Sequence, residues 1–164
     1  MKLNEVTNGD FKIFLDLDGV MADFKRGIRE ILGLPTNASP AEVFVALQKD
    51  DGGKEFFLKL KKTKDADRLW QFLKGSDLKI LTGLPSSNRE EAAKNKVSWV
   101  RRNLSKNVKV ITTSSKSKKR FAGPSNILID DRKDNIQDWI TAGGIGILHI
   151  SAAKTIKELK KIMK

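Results

Sequence analysis

Short apolar runs alternate with longer stretches of helical spacing along this chain. Lys12 to Leu17 (KIFLDL) is apolar and ends among acids, which fits a strand buried on both faces. Asp18 and Gly19 break it. Val20 to Leu32 has helical spacing, and Gly33-Leu34-Pro35 ends it. Ser39-Pro40 predicts the next helix start: Ser39 can cap, Pro40 suits the first helical position and Glu42 falls at the third. Asp50 to Gly53 reads as a turn, Lys54 to Leu60 as a short amphipathic piece and Asp65 to Leu73 as a helix. Further buried strands are expected at Leu78–Thr82, Val108–Thr112, Asn126–Ile129 and Ile145–Ile150. Helices are expected at Asn88–Leu104, with Val97, Val100 and Leu104 on one side, at Asn135–Ala142, and at the terminal amphipathic stretch Ala152–Met163.

Strand and helix in alternation predict an α/β fold with a parallel sheet covered by helices. Residues 24–67 are too many for one crossover helix, so an insertion over the site is expected there, with the core in residues 10–23 and 68–164. Ligands of such sheets bind outside the carboxyl ends of the strands. Function should gather at the acids found at those ends.

Composition narrows the chemistry. The 164 residues fit one domain. Cysteine is absent, which excludes disulfides, thiol nucleophiles and cysteine-based zinc sites. Met1 to Phe11 has no apolar leader core, and no apolar run approaches the length of a bilayer span. The expectation is a soluble cytoplasmic protein without a membrane partner. The net charge of +12 attracts polyanions and phosphorylated ligands, so nucleic acid and nucleotides are both candidate partners beside a plain lysine-rich surface.

Chemistry-bearing residues sit at the predicted strand ends. Asp16 and Asp18 lie two apart before Gly19, which lets the chain turn away. Two carboxylates so close repel each other, and a divalent cation with oxygen ligands, magnesium above all, offsets that repulsion. One carboxylate can attack phosphorus and the other can move protons. Asp130 and Asp131 end a second buried strand, one able to reach a metal directly, and Arg132 follows them. Thr82 and Gly83 end a third, where a hydroxyl and backbone N–H groups can bind phosphate oxygens. Lys116, Lys118, Lys119 and Arg120 form a basic run, one member of which near the acids would stabilise a transferring phosphoryl group. His149, the single histidine, reads as structural, and Trp99 and Trp139 read as core. Asp134 and Asn135 either hold the acidic loop or cap the helix after it.

Phe14-Leu15-Asp16-Leu17-Asp18-Gly19-Val20 resembles the first motif of the haloacid-dehalogenase (HAD) superfamily. Ile80 to Gly83, Ser117 to Phe121 and Leu128 to Arg132 are similar to its second, third and fourth. Leu15 to Phe24 (LDLDGVMADF), Ser98-Trp99-Val100 and Ile127 to Asp134 (ILIDDRKD) are closer still to the 5'(3')-deoxyribonucleotidase branch. The resemblance implies a Rossmann-like three-layer sandwich with a small helical cap inserted after the first strand. It implies Asp16 as nucleophile and magnesium ligand, and Asp18 as general acid and base, binding the metal through its backbone carbonyl. Thr82 would hold phosphoryl oxygens, Asp130 and Asp131 would complete the metal site, and Lys118, with Lys119 as alternate, would be the motif lysine. Phe24, Phe56, Phe57 and Trp70 fall where the family contacts the nucleoside, with Gly83 and Arg132 also facing substrate. The implied reaction is magnesium-dependent hydrolysis of a (deoxy)nucleoside monophosphate. The alternatives are a polynucleotide 3'-end phosphatase and a non-catalytic nucleic-acid-binding module.

Overall fold

The structure, a computed structural model, describes residues 10–49 and 53–164. Most of Met1–Phe11, expected to carry no apolar leader core, and of the turn expected at Asp50–Gly53 lies outside the described residues.

Five strands form one all-parallel sheet: β1 (Lys12–Leu15), β2 (Asp77–Gly83), β3 (Lys109–Thr113), β4 (Asn126–Asp130) and β5 (Ile145–Leu148), in the order β3-β2-β1-β4-β5. β1 is therefore central, pairing Leu15 with Ile80 on one side and with Ile129 on the other. Alternation along the strands builds two cores. Ile13, Leu15, Ile80, Ile127 and Ile129 face one way, into a cluster with Leu69, Trp99 and Leu159. Phe14, Leu81 and Leu128 face the other way, against Ile136 and Trp139. The first face is covered by α4 (Ala66–Leu73), α5 (Arg89–Asn103) and α7 (Ala152–Ile162), and the second by α6 (Lys133–Thr141) and a 3₁₀ helix (Ser115–Phe121). The three-layer α/β sandwich expected from the sequence is what forms. Trp99 and Trp139 are fully buried, and each indole N–H meets a carbonyl, of Leu60 at 2.6 Å and of Asn126 at 3.1 Å.

Between β1 and α4 lie α1 (Phe24–Glu30), α2 (Pro40–Leu47) and α3 (Phe56–Lys59). Ser39 caps α2 with Glu42 in a reciprocal capping box. The insertion shares the larger core: Ile28, Val43, Phe56, Phe57 and Leu60 join the same cluster as Leu15 and Trp99.

Two elements differ from expectation. The helix read from Val20 begins only at Phe24, capped by Asp23, whose side chain accepts from the Arg26 N–H at 3.1 Å. Val20, Met21 and Ala22 are buried in a folded turn instead, with the Met21 and Ala22 N–H groups both donating to the Leu17 carbonyl at 2.9 Å. Their apolar spacing is met by that turn, which Gly19 opens at φ +81°. On α5 the buried positions are Ala92, Lys96, Trp99 and Val100, a face rotated from the expected one, with Val97 only half-buried. Among the described residues, no helix is long and apolar enough to cross a membrane.

Candidate active site

Because β1 is central and its neighbours run parallel to it, the carboxyl ends of β1, β2 and β4 meet at one point. Asp16 follows β1, its N–H donating to the Ile129 carbonyl at 2.9 Å, and its carboxylate is buried. Asp130 ends β4 and is fully buried. Carboxylate oxygens of Asp16, Asp130 and Asp131 lie within 4.8 Å of one another. Asp131 is exposed as a residue, yet its carboxyl packs over Gly19, where a Cβ would stand 2.1 Å from its Oδ2.

The 3₁₀ geometry decides which basic side chain joins these acids. Lys118 is buried, and its Nζ donates to Asp16 Oδ1 and to Asp130 Oδ2, each at 2.7 Å. Lys116, Lys119 and Arg120 are exposed. Asn135, at the start of α6, is buried and donates to Asp130 Oδ2 at 3.0 Å, while Asp134 forms an ion pair with Arg132. Asn135 thus holds the acidic loop rather than capping the helix, whose N-cap is Arg132.

Asp18 stands apart from the carboxylate trio. Its Oδ2 accepts from Lys96 Nζ, and its Oδ1 is buried without a hydrogen-bond partner. The same Lys96 donates to Thr82 Oγ1 at 3.1 Å. Thr82, at the end of β2, is fully buried, and the neighbouring Gly83 and Ser115 line the cleft in front of it. The sequence reading missed Lys96, because a lysine in a basic helix reads as solvated. The available signal was its spacing, four after Ala92 and three before Trp99, both of which face the core.

The acids open into a cleft of about 950 Å³, walled by Asp18, Phe24, Lys64, Lys118, Arg132 and His149 among others. His149 is buried, with Nδ1 2.8 Å from Thr155 Oγ1, and burial lowers its pKa. Of the expected nucleoside contacts, Phe24 is on the cleft wall. The structure places two others away from the cleft wall. Phe56 is fully buried, edge-on to Phe24 and Phe57, because it anchors the insertion in the core. Trp70 packs against the larger core cluster and is not among the residues lining the cleft.

Charge at the site is unbalanced. Among the described residues, the carboxylates of Asp16, Asp18, Asp130 and Asp131 form ion pairs only with the ammonium groups of Lys96 and Lys118, two positive charges against four, while the nearby Arg132 is itself paired with Asp134. Two carboxyls respond by titrating above the ordinary carboxylate range. Burial pushes Asp16 up to about 7, Lys118 drawing it down while Asp130 and Asp18 push it up. Enclosure of its carboxyl, with the charge of Asp130, raises Asp131 to about 6. Burial works to lower Lys118, but Asp16 and Asp130 outweigh it and hold the ammonium at about 12. Oxygen-only donors in the carboxylate trio and a deficit of two charges fit a hard divalent cation.

No protein-family model and no curated protein matches the chain. Solved structures do match it. A hydrolase from Pseudomonas syringae superposes with a TM-score of 0.57 over 94% of this chain and 100% of its own, at 13% identity. A HAD-superfamily hydrolase of subfamily IA from Geobacter sulfurreducens gives a TM-score of 0.51 over 96% and 99%, at 15% identity. The chain has the HAD-hydrolase fold. A further HAD family hydrolase, from Deinococcus radiodurans and solved with bound phosphate and sodium, gives a TM-score of 0.53 over 90% and 88%, at 13% identity. At such identity the likeness carries the HAD fold, and chemistry rests on the residues above.

Proposed function

We propose that the chain is a magnesium-dependent phosphomonoesterase that works through an aspartyl-phosphate and hydrolyses (deoxy)nucleoside monophosphates. The observation that carries this reading is the Asp16 carboxylate at the end of the central strand, bonded to Lys118 and grouped with Asp130 and Asp131. Asp16 attacks phosphorus and the bond from phosphorus to the ester oxygen breaks. Asp18 gives a proton to that leaving oxygen, then takes one from the water that hydrolyses the phosphoaspartate, so that Asp16 and inorganic phosphate are released. Lys118 and Thr82 stabilise the phosphoryl oxygens. Asp16, Asp130 and Asp131, with the backbone carbonyl of Asp18, would hold magnesium. When bound, the ion supplies Lewis-acid polarisation and charge neutralisation.

Phosphate bound in the Deinococcus radiodurans hydrolase of the same fold supports a phosphate ester as substrate. The nucleotide assignment is supported by the motif resemblance, by Phe24 on the wall and by a cleft volume ample for a nucleotide. The helical insertion then serves as the cap that shields the covalent intermediate from water. Phosphate release from a panel of nucleoside 5'- and 3'-monophosphates, with magnesium and with chelator, tests this. The expected result is magnesium-dependent release from a few members and none from Asp16→Asn protein that is still folded by circular dichroism. Near-normal turnover by that variant overturns the nucleophile assignment.

A second reading, a phosphatase of polynucleotide ends, is favoured by Lys25, Lys64 and Arg132 on the cleft and by the net charge of +12. It requires a 3'-phosphorylated oligonucleotide to outcompete free nucleotides, at a rate that falls with salt.

A further inference from the structure

Lys96 occupies a position where α5 would ordinarily bury an apolar side chain. Its neighbours on that face are Ala92, Trp99 and Val100, and it is only 1% exposed. An ammonium group so buried must have its donors met. Three groups from three parts of the chain meet it: the Asp18 carboxylate after β1, the Thr82 hydroxyl at the end of β2 and the face of the Phe57 ring on α3, 4.3 Å away. An ammonium has three N–H bonds, so this shell leaves it little further capacity.

The consequence falls on the oxygen atoms. Lys96 holds Asp18 Oδ2, and Oδ1 is then the one buried side-chain oxygen or nitrogen among the described residues with no hydrogen-bond partner, on a residue that lines the cleft. One oxygen is anchored, and the other is enclosed and unpartnered, on a side chain that is itself 23% exposed. Thr82 Oγ1 accepts from Lys96, which leaves its own O–H to donate. Phe57 belongs to the insertion, so the ammonium is fully surrounded only while that insertion is seated against the sheet.

We propose that Lys96 is a positioning residue of this centre, one that sets Asp18 and Thr82 in their working orientations and makes that setting depend on the seated insertion. The inference rests on the phosphatase reading above. Lys96 does not itself touch substrate; it acts through Asp18 during transfer to Asp16. The phosphorus–oxygen bond to the leaving group breaks and the proton from Asp18 ends on that oxygen. A poor leaving group needs this proton and a good one does not, so the deficit in a Lys96 variant depends on the leaving group.

The test compares kcat/KM for an alkyl phosphate and for p-nitrophenyl phosphate in wild type, Lys96→Met, Asp18→Asn and the double variant. Removing a positioned acid costs about 100-fold or more. Lys96→Met is therefore expected to lose about 100-fold on the alkyl ester and only a few-fold on p-nitrophenyl phosphate. In the Asp18→Asn background the same substitution should cost little further, because the two act as one unit. Phe57→Leu should show a weaker form of the same split. If Lys96→Met does not fold, Lys96→Gln, which keeps a polar end, takes its place. Equal losses on both esters, no loss, or full additivity with Asp18→Asn overturns the inference while leaving the phosphatase reading intact. Silence of the wild type on both esters and on nucleotides overturns both.

Discussion

At the level of single residues, the acids were legible because each ends an apolar run, and a buried strand has few reasons to end in Asp-x-Asp or Asp-Asp. The choice of Lys118 over Lys119 was legible only through the family resemblance and not from local pattern. It depends on a 3₁₀ geometry that turns one side chain inward, and adjacent lysines in a basic run carry no period that marks it. Lys96 was hidden for the opposite reason: its partners Asp18, Thr82 and Phe57 are remote in sequence, so no local pattern announces them. Gly19 has two separable constraints, a φ of +81° and the Asp131 carboxyl where a Cβ would stand. Gly33 has a comparable φ of +66° and nothing within 4 Å of its added Cβ. Gly33→Ala is therefore expected to lose about 1 kcal/mol, the left-handed backbone cost alone. Gly19→Ala should lose more, and should also lower turnover by displacing Asp131 from the carboxylate trio. Urea unfolding and phosphate release on both variants check this, and equal behaviour of the two would remove the role given to the Gly19–Asp131 contact.

At the level of elements, strands were readable as short apolar runs, and their order followed from alternation with helices. Boundaries failed where a periodic apolar pattern is satisfied without a helix. Val20 to Ala22 bury their side chains in a turn closed by the Leu17 carbonyl, and a helical period cannot be told from that over three residues. The packing of α4 against α7 brings a cross-element cap that sequence spacing could not reveal: Asp65, just before α4, accepts from the Ala152 N–H at the first turn of α7 at 2.7 Å. A free N–H at a helix start is otherwise left to solvent or unmet. Asp65→Ala is expected to cost about 1 kcal/mol of stability, the ordinary worth of a helix cap. Chemical denaturation should report that loss. An unchanged midpoint would mean that water serves the Ala152 N–H equally well.

At the level of the whole molecule, the fold assembles more negative charge at one point than its own lysines neutralise, on a chain whose net charge is +12. This imbalance ties stability to both pH and metal. Without a cation, Asp16 is raised from 3.8 to about 7 and Asp131 from 3.8 to about 6. For an acid raised on folding, the folded state keeps a proton that the unfolded chain has already released. The contribution of these two groups to stability therefore falls as pH rises from about 4 towards 7. A cation at the trio reverses that penalty but must displace the protons to bind, so its effect grows with pH. Magnesium at about 100 times its Kd contributes about 2.7 kcal/mol. The melting temperature is thus expected to rise on adding magnesium, with a clearly larger rise near about pH 8 than near about pH 5.5. Asp130→Asn should shrink the rise at the higher pH. An increment that is equal at both pH values, or one that survives in Asp130→Asn, would mean that magnesium acts elsewhere on the surface and that the paired deficit of charge is met by protons alone.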